Sequence, residues 1–290
     1  MFPSDYIDEL DYKVGLVGQE PIRPEDDEDY VRLSVLNDSF NDKNERKDIE
    51  TIAKLVHQFP KLLERYNDSG MLPLHVACKK GASATIVKFL LEQGRTRILI
   101  MENSEHEDND SISVSKVYDD INIKDERRKM TPLHWACRKG RKHLVQLLLS
   151  YQECDVQPHD DIDYSVPMHW SCYIGDTDSL ELLIQNNADI RIKDKYGFEP
   201  IHWACRSGAI DIVKLLLEYG ADLHALTDTN SSPLHCACFE GHQELSLYLI
   251  EIGASTELKN KRGFSALDLW NRRGRMDSDL SMAEGYLELK

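Results

Sequence analysis

The residues with the plainest chemical potential are five His-x-x-Cys pairs: His75 and Cys78, His134 and Cys137, His169 and Cys172, His202 and Cys205, and His235 and Cys238. On a helix, residues three apart share a face, so each pair can present an imidazole and a thiol together. Two chemistries use such a pair: zinc ligation, and a thiolate nucleophile activated by a neighbouring histidine. Zinc needs four ligands converging on one point. Each copy supplies two, and neighbouring copies stacked as packed helices would lie about 10 Å apart. The pairs are therefore expected to be scaffold, with no metal, no cofactor and no catalytic residue. The sequence also carries no phosphate-binding loop, dinucleotide fingerprint or recognisable acid–base carboxylate motif. That leaves binding as the expected function.

The pairs are spaced regularly. The histidines fall at 75, 134, 169, 202 and 235, so successive differences are 59, 35, 33 and 33. Each sits in a hexapeptide of one pattern: Pro73-Leu74-His75-Val76-Ala77-Cys78, Pro132-Leu133-His134-Trp135-Ala136-Cys137 and Pro167-Met168-His169-Trp170-Ser171-Cys172 come first. Pro200-Ile201-His202-Trp203-Ala204-Cys205 and Pro233-Leu234-His235-Cys236-Ala237-Cys238 follow. A glycine recurs six residues after each histidine, at 81, 140, 175, 208 and 241, and again at 274. This period and hexapeptide resemble the ankyrin-repeat family, whose signature is T-P-L-H-x-A. The resemblance implies an all-α solenoid of helix-turn-helix units with extended finger loops. It also implies that each histidine is buried and bonds loop backbone.

The local physics agrees with that resemblance. Proline is pre-set for the first helical position, where its missing N–H costs nothing. Glycine ends the short helix because it lacks a Cβ. A second helix follows in each unit, with apolar stripes such as Ile212, Val213, Leu215, Leu216 and Leu217. One helix pair cannot bury its faces alone, so the units must stack. About seven units are expected, at residues 29–68, 69–101, 120–162, 163–196, 197–229, 230–262 and 263–290, the outer two being degenerate caps. The first cap reads as helices near 30–36 and 48–66, and the last as a helix over 277–287. The 59-residue step exceeds the period by 26, and an acidic, serine-rich insertion at 102–119 accounts for it. Residues 1–28 read as a second acidic arm.

Composition narrows the partner. With 51 acidic and 35 basic residues the net charge is −16, which repels nucleic acid and anionic membranes. No run of eighteen apolar residues exists, and the N-terminus lacks the basic and apolar regions of a secretory signal. Seven cysteines without a disulfide-like framework suit a reducing compartment. The expected setting is cytoplasmic or nuclear, with a monomeric chain, a protein partner and no nucleic acid or membrane insertion.

In an ankyrin-like stack, the resemblance implies that the finger residues and the exposed side of each first helix line a groove. Register puts Lys79, Lys80, Arg138, Lys139, Tyr173, Arg206 and Phe239 on the helices, and Arg127, Arg128 and Tyr196 on the fingers. With Lys129 and Lys195, also on the fingers, nine basic groups on these surfaces fall between residues 70 and 210, favouring an acidic segment as the ligand. Trp135, Trp170 and Trp203 follow the repeat histidine in three adjacent units. They either form an aromatic groove floor or pack between first helices, and the sequence leaves both open. The leading expectation is a protein–protein interaction scaffold or adaptor. The alternative is an accessory or targeting subunit of an enzyme assembly, such as a ubiquitin-ligase substrate receptor or a proteasome chaperone of the gankyrin type, which the His-Trp-Ala-Cys wording resembles.

Overall fold

The computed structural model describes residues 28–40, 45–102 and 121–272. Proline opens five of its short helices, supplying a fixed φ at the position that needs no N–H. These first helices are α3 (Pro73–Lys80), α5 (Pro132–Arg138), α7 (Pro167–Ile174), α9 (Pro200–Ser207) and α11 (Pro233–Glu240). Each is followed by a second helix: α4 (Ala84–Glu102), α6 (Lys142–Leu149), α8 (Thr177–Gln185), α10 (Ile210–Glu218) and α12 (Gln243–Glu251). One more pair, α1 (Glu28–Asp38) and α2 (Glu45–Gln58), precedes them, and α13 (Ala266–Arg272) follows. The described residues hold no strand, only an isolated bridge between Lys259 and Ser265. The architecture is an all-α stack of paired short helices, of about six to seven units.

The turn inside each pair depends on glycine. Gly208 caps α9 in the left-handed region at φ 76°, and its N–H donates to the Ala204 carbonyl. An added Cβ there would meet the His242 ring at 2.6 to 2.8 Å. His242 lies against it because its Nε2–H donates to the Arg206 carbonyl at 2.8 Å. The glycine therefore serves both the turn and the contact with the next unit.

Between units the chain runs out as a finger, and the fingers bond to one another in a row. The N–H groups of Glu126, Asp161, Lys195, Asp228 and Lys261 donate to the carbonyls of Gly70, Arg128, Asp163, Tyr196 and Thr229, at 2.8 to 3.1 Å. First helices pack on each other along the stack more closely than second helices do. The face that the first helices present beside the fingers is called the inner face. One continuous core runs from Leu33 to Trp270.

The ends depart from expectation in detail. The second helix of the first pair begins at Glu45 and stops at Gln58, followed by a 3-10 turn at Pro60–Glu64. Pro60 lacks the N–H that would continue the α-helix. Helix α4 continues past Gly94 to Glu102, whereas Gly220 and Gly253, in the same register, follow helices that have ended. Glu28 and Asp29, placed by sequence in or beside the acidic arm, already belong to α1. The rest of that arm, the insertion at 103–119 and the helix expected at 277–287 lie outside the described residues.

Candidate functional site

The five repeat histidines are buried to 0 or 1% exposure. In each, Nδ1 faces a backbone N–H three residues earlier, from Leu72, Thr131, Val166, Glu199 and Ser232, at 3.1 to 3.2 Å. A backbone N–H can only donate, so Nδ1 accepts and the ring proton resides on Nε2. That Nε2–H donates across to the next finger. His75 reaches the Ile123 carbonyl at 2.9 Å, His134 that of Ser165 at 3.1 Å, and His169 that of Phe198 at 3.2 Å. His202 reaches Ala225 at 3.1 Å and His235 reaches Phe264 at 3.2 Å. Burial lowers all five below the usual imidazole value, His134 and His202 to about 4 and His169 to about 3. Each imidazole is thus a neutral crosslink between consecutive units.

The paired thiols are equally committed to the core. Cys78, Cys137, Cys172, Cys205 and Cys238 are all at 0 or 1% exposure. Burial pushes Cys137 and Cys238 up to about 12 and raises the other three as well. A thiol held protonated is a poor nucleophile and metal ligand. Among the described residues no group of three or more His, Cys, Asp or Glu is placed to hold a metal ion.

The inner face carries the charged and aromatic residues. Lys79, Arg138, Tyr173, Arg206 and Phe239 occupy one register near the ends of the five first helices. The structure brings the cations onto the indoles. Lys79 Nζ lies 4.8 Å from the Trp135 ring, and Arg138 Cζ lies 5.2 Å from Trp135 and 4.7 Å from Trp170. Arg128 Cζ is 5.6 Å from Trp170, and Arg206 Cζ is 5.9 Å from Trp203. Trp170 and Trp203 meet edge to face at 5.3 Å, and Tyr173 meets Trp203 at 6.0 Å. The result is a ladder of alternating cations and indoles along three units, each contact favourable because the cation faces the negative ring quadrupole.

Of the two readings left open for the tryptophans, their burial favours packing between first helices over a groove floor. Trp135, Trp170 and Trp203 are 3%, 1% and 4% exposed, and Arg138 and Arg128 are 3% and 8% exposed. The indoles lie between first helices, and the guanidiniums of Arg128 and Arg138 are drawn in over them instead of facing out. Two further residues are tied into neighbouring units. Lys80 donates to the Asn37 carbonyl at 2.8 Å and pairs with Asp38 at 3.2 Å, while Arg127 donates to the Asp68 carbonyl. Lys139, Arg127, Tyr196 and Phe239 are exposed, and Lys79, Lys80, Tyr173 and Arg206 are half-buried.

Sequence reasoning missed the carboxylates beneath this face. Asp125 Oδ2 accepts from Trp135 Nε1 and Asp194 Oδ2 from Trp203 Nε1, both at 2.9 Å. The second oxygen of each holds finger backbone: Arg128 N–H on Asp125, and Tyr196 and Phe198 N–H on Asp194. In the unit between them Asp160 Oδ2 takes the Ser165 hydroxyl at 2.5 Å instead. Burial pushes Asp194 up to about 6 despite those three donors. Asp163 lies 3.6 Å from Arg128, and burial raises it too. The detectable signal was the spacing: Asp125, Asp160 and Asp194 each precede a repeat tryptophan by nine or ten positions.

The fingertips share one backbone state. Lys129, Tyr164, Gly197, Asn230 and Gly263 all have φ between 54° and 79°. Glycine and asparagine adopt this region readily, whereas a bulky residue there costs about 1 kcal/mol or more. Tyr164 nonetheless stands at 56% exposure.

Ankyrin repeats, in three overlapping copies, match residues 44–160, 98–194 and 168–260. The chain belongs to the ankyrin-repeat family. Its fold is the ankyrin solenoid, and membership implies a protein–protein interaction module. No curated protein matches the chain, so the likeness to proteasome chaperones of the gankyrin type rests on the repeat wording alone. No helix among the described residues is long and apolar enough to cross a membrane.

Proposed function

We propose that this ankyrin-repeat chain is a non-catalytic scaffold that takes an acidic segment of a partner protein along the inner face of its stack. The observation that carries this reading is the line of positive charge. Lys79, Arg138 and Arg206 share one register on the first helices, with Lys139, Lys129 and Lys195 beside them, in a chain of net charge −16. Such a local reversal of sign steers an acidic ligand to that face and resists acidic competitors elsewhere. The buried Arg138 guanidinium contributes field, and the exposed Lys139 and Lys195 contribute contact. The reaction class is binding alone, without cofactor or metal, and the favoured setting is the cytoplasm or nucleus.

A fluorescein-labelled peptide of twelve alternating glutamates and serines, titrated by anisotropy against the full chain, tests this. Lys79→Glu, Lys139→Glu and Lys195→Glu combined should weaken binding at least ten-fold at 50 mM salt while the circular dichroism spectrum stays unchanged. Equal affinity in the folded triple variant would remove the inner face as the site.

A further inference from the structure

The inner face is not uniformly cationic. From the fourth unit onward it presents apolar side chains to solvent: Tyr164 at 56%, Ile174 at 47%, Tyr196 at 39% and Phe239 at 36% exposure. They sit at fingertips and at the ends of first helices, the same positions that carry Lys129, Lys139 and Arg206 in other units. Tyr164 and Tyr196 stand on adjacent fingers, whose backbones are joined by the Lys195 N–H donating to the Asp163 carbonyl at 2.8 Å.

Tyr164 is the most telling of these. Its φ is 54°, at a position where sister units place Gly70, Lys129, Gly197, Asn230 and Gly263. The turn therefore does not need a tyrosine, and the backbone is strained by having one. Nor does the side chain gain much within the chain. It is more than half exposed, and its described ring contact is the His159 imidazole at 5.7 Å and a tilted angle. Strain kept at an exposed aromatic residue directs attention to something outside the fold. Tyrosine is also the side chain that supplies large contact area at low entropic cost in binding surfaces.

We infer that Tyr164 and Tyr196 form an anchor for an apolar side chain on the partner, so that the ligand is an acidic segment interrupted by aliphatic or aromatic residues. Charge complementarity fixes the flanks of this occupant. Lys195 Nζ lies 5.9 Å from the Tyr196 ring, and Lys129 and Lys139 stand on the preceding finger and first helix, whereas Arg206 is already paired with Glu240 at 3.9 Å. An apolar group on the tyrosines therefore has Lys195 on one side and Lys129 with Lys139 on the other to receive carboxylates. The inference rests on the acidic-ligand reading for its flanks and adds the apolar anchor.

The test compares two probes of equal charge on the full chain: twelve residues of alternating glutamate and leucine, and the glutamate–serine peptide. The leucine probe should bind about ten-fold more tightly. In the double variant Tyr164→Gly with Tyr196→Ser that advantage should vanish, while glutamate–serine affinity stays unchanged. Tyr219→Ser, on the far side at 47% exposure, should leave both affinities as they were. Tyr164→Gly alone should raise the urea midpoint, since it relieves the strained backbone, even as it weakens the leucine probe. A lowered midpoint would assign Tyr164 to folding and overturn the inference, as would an advantage that survives the double variant or is missing from the parent. If the leucine probe binds through the tyrosines but the glutamate–serine peptide does not bind, the anchor stands and the acidic reading falls.

Discussion

Each repeat histidine has used both ring nitrogens, one accepting from its own turn and one donating to the next finger. Protonation would add a donor where a backbone N–H already points, so acid must break the crosslink. The sign follows from the lowered folded values. The unfolded chain binds the protons more tightly, so this stability is complete above the ordinary value of 6.5 and falls away towards 4 for His134 and His202 and 3 for His169. By pH 5 each should have lost about 2 kcal/mol. Asp194, raised to about 6, opposes this by about 1 kcal/mol, and Asp163 and Glu199 act in the same opposing sense. Three histidines outweigh them. Urea midpoints should therefore drop steadily from pH 7 to pH 5, and a flat profile would mean the imidazoles are not neutral in the fold. The period of these histidines was legible in the sequence, and their partners followed from the family resemblance. The burial of Arg128 and Arg138 was not. Arginine reads as a surface residue, and only the packing of neighbouring units reveals that Arg138 lies between two indoles and Arg128 over one.

At the scale of elements, the short helix, its glycine and the second helix form one hinge-free unit whose turn is set by backbone sign. Gly208 and Gly220 separate two costs. Both have positive φ, at 76° and 91°, but an added Cβ meets the His242 ring only at Gly208 and nothing within 4 Å at Gly220. Gly220→Ala should cost about 1 kcal/mol from the backbone alone. Gly208→Ala should cost about 2 to 3 kcal/mol, because His242 must also leave the Arg206 carbonyl. Denaturant titration of the two variants checks the difference. The glycine ladder and apolar stripes made these helices readable, since period and capping are local properties. Helix α4 departs from that pattern at Gly94, which lies within the helix although Gly220 and Gly253, in the same register, follow helices that have ended. The fingertip state at Tyr164 was hidden because tyrosine carries no turn signal. Only its register with Gly197, Asn230 and Gly263 could have exposed it.

At the scale of the whole molecule, the core continues from Leu33 to Trp270 with each unit completing its neighbour's burial, so the stack behaves as one body presenting two unlike faces. The inner one gathers Lys79, Lys139, Lys195 and Arg206 with Tyr164, Tyr196 and Phe239. Second helices present Lys142, Lys214 and Tyr219 on the other side. Lys142 is paired there with Asp178 at 2.8 Å. Binding that depends on the inner cations should weaken as salt rises, because screening acts over about 10 Å at 0.1 M. The most direct measurement locates the ligand itself. A glutamate–leucine probe carrying a photoreactive benzophenone is crosslinked to the full chain, and the attachment sites are mapped by mass spectrometry. Crosslinks should fall on residues 127–129, 138–139, 164, 173–174, 195–196, 206 and 239. Crosslinks concentrated instead on residues 142–149, 177–185, 210–219 and 243–252 would place the ligand on the second helices and contradict the account.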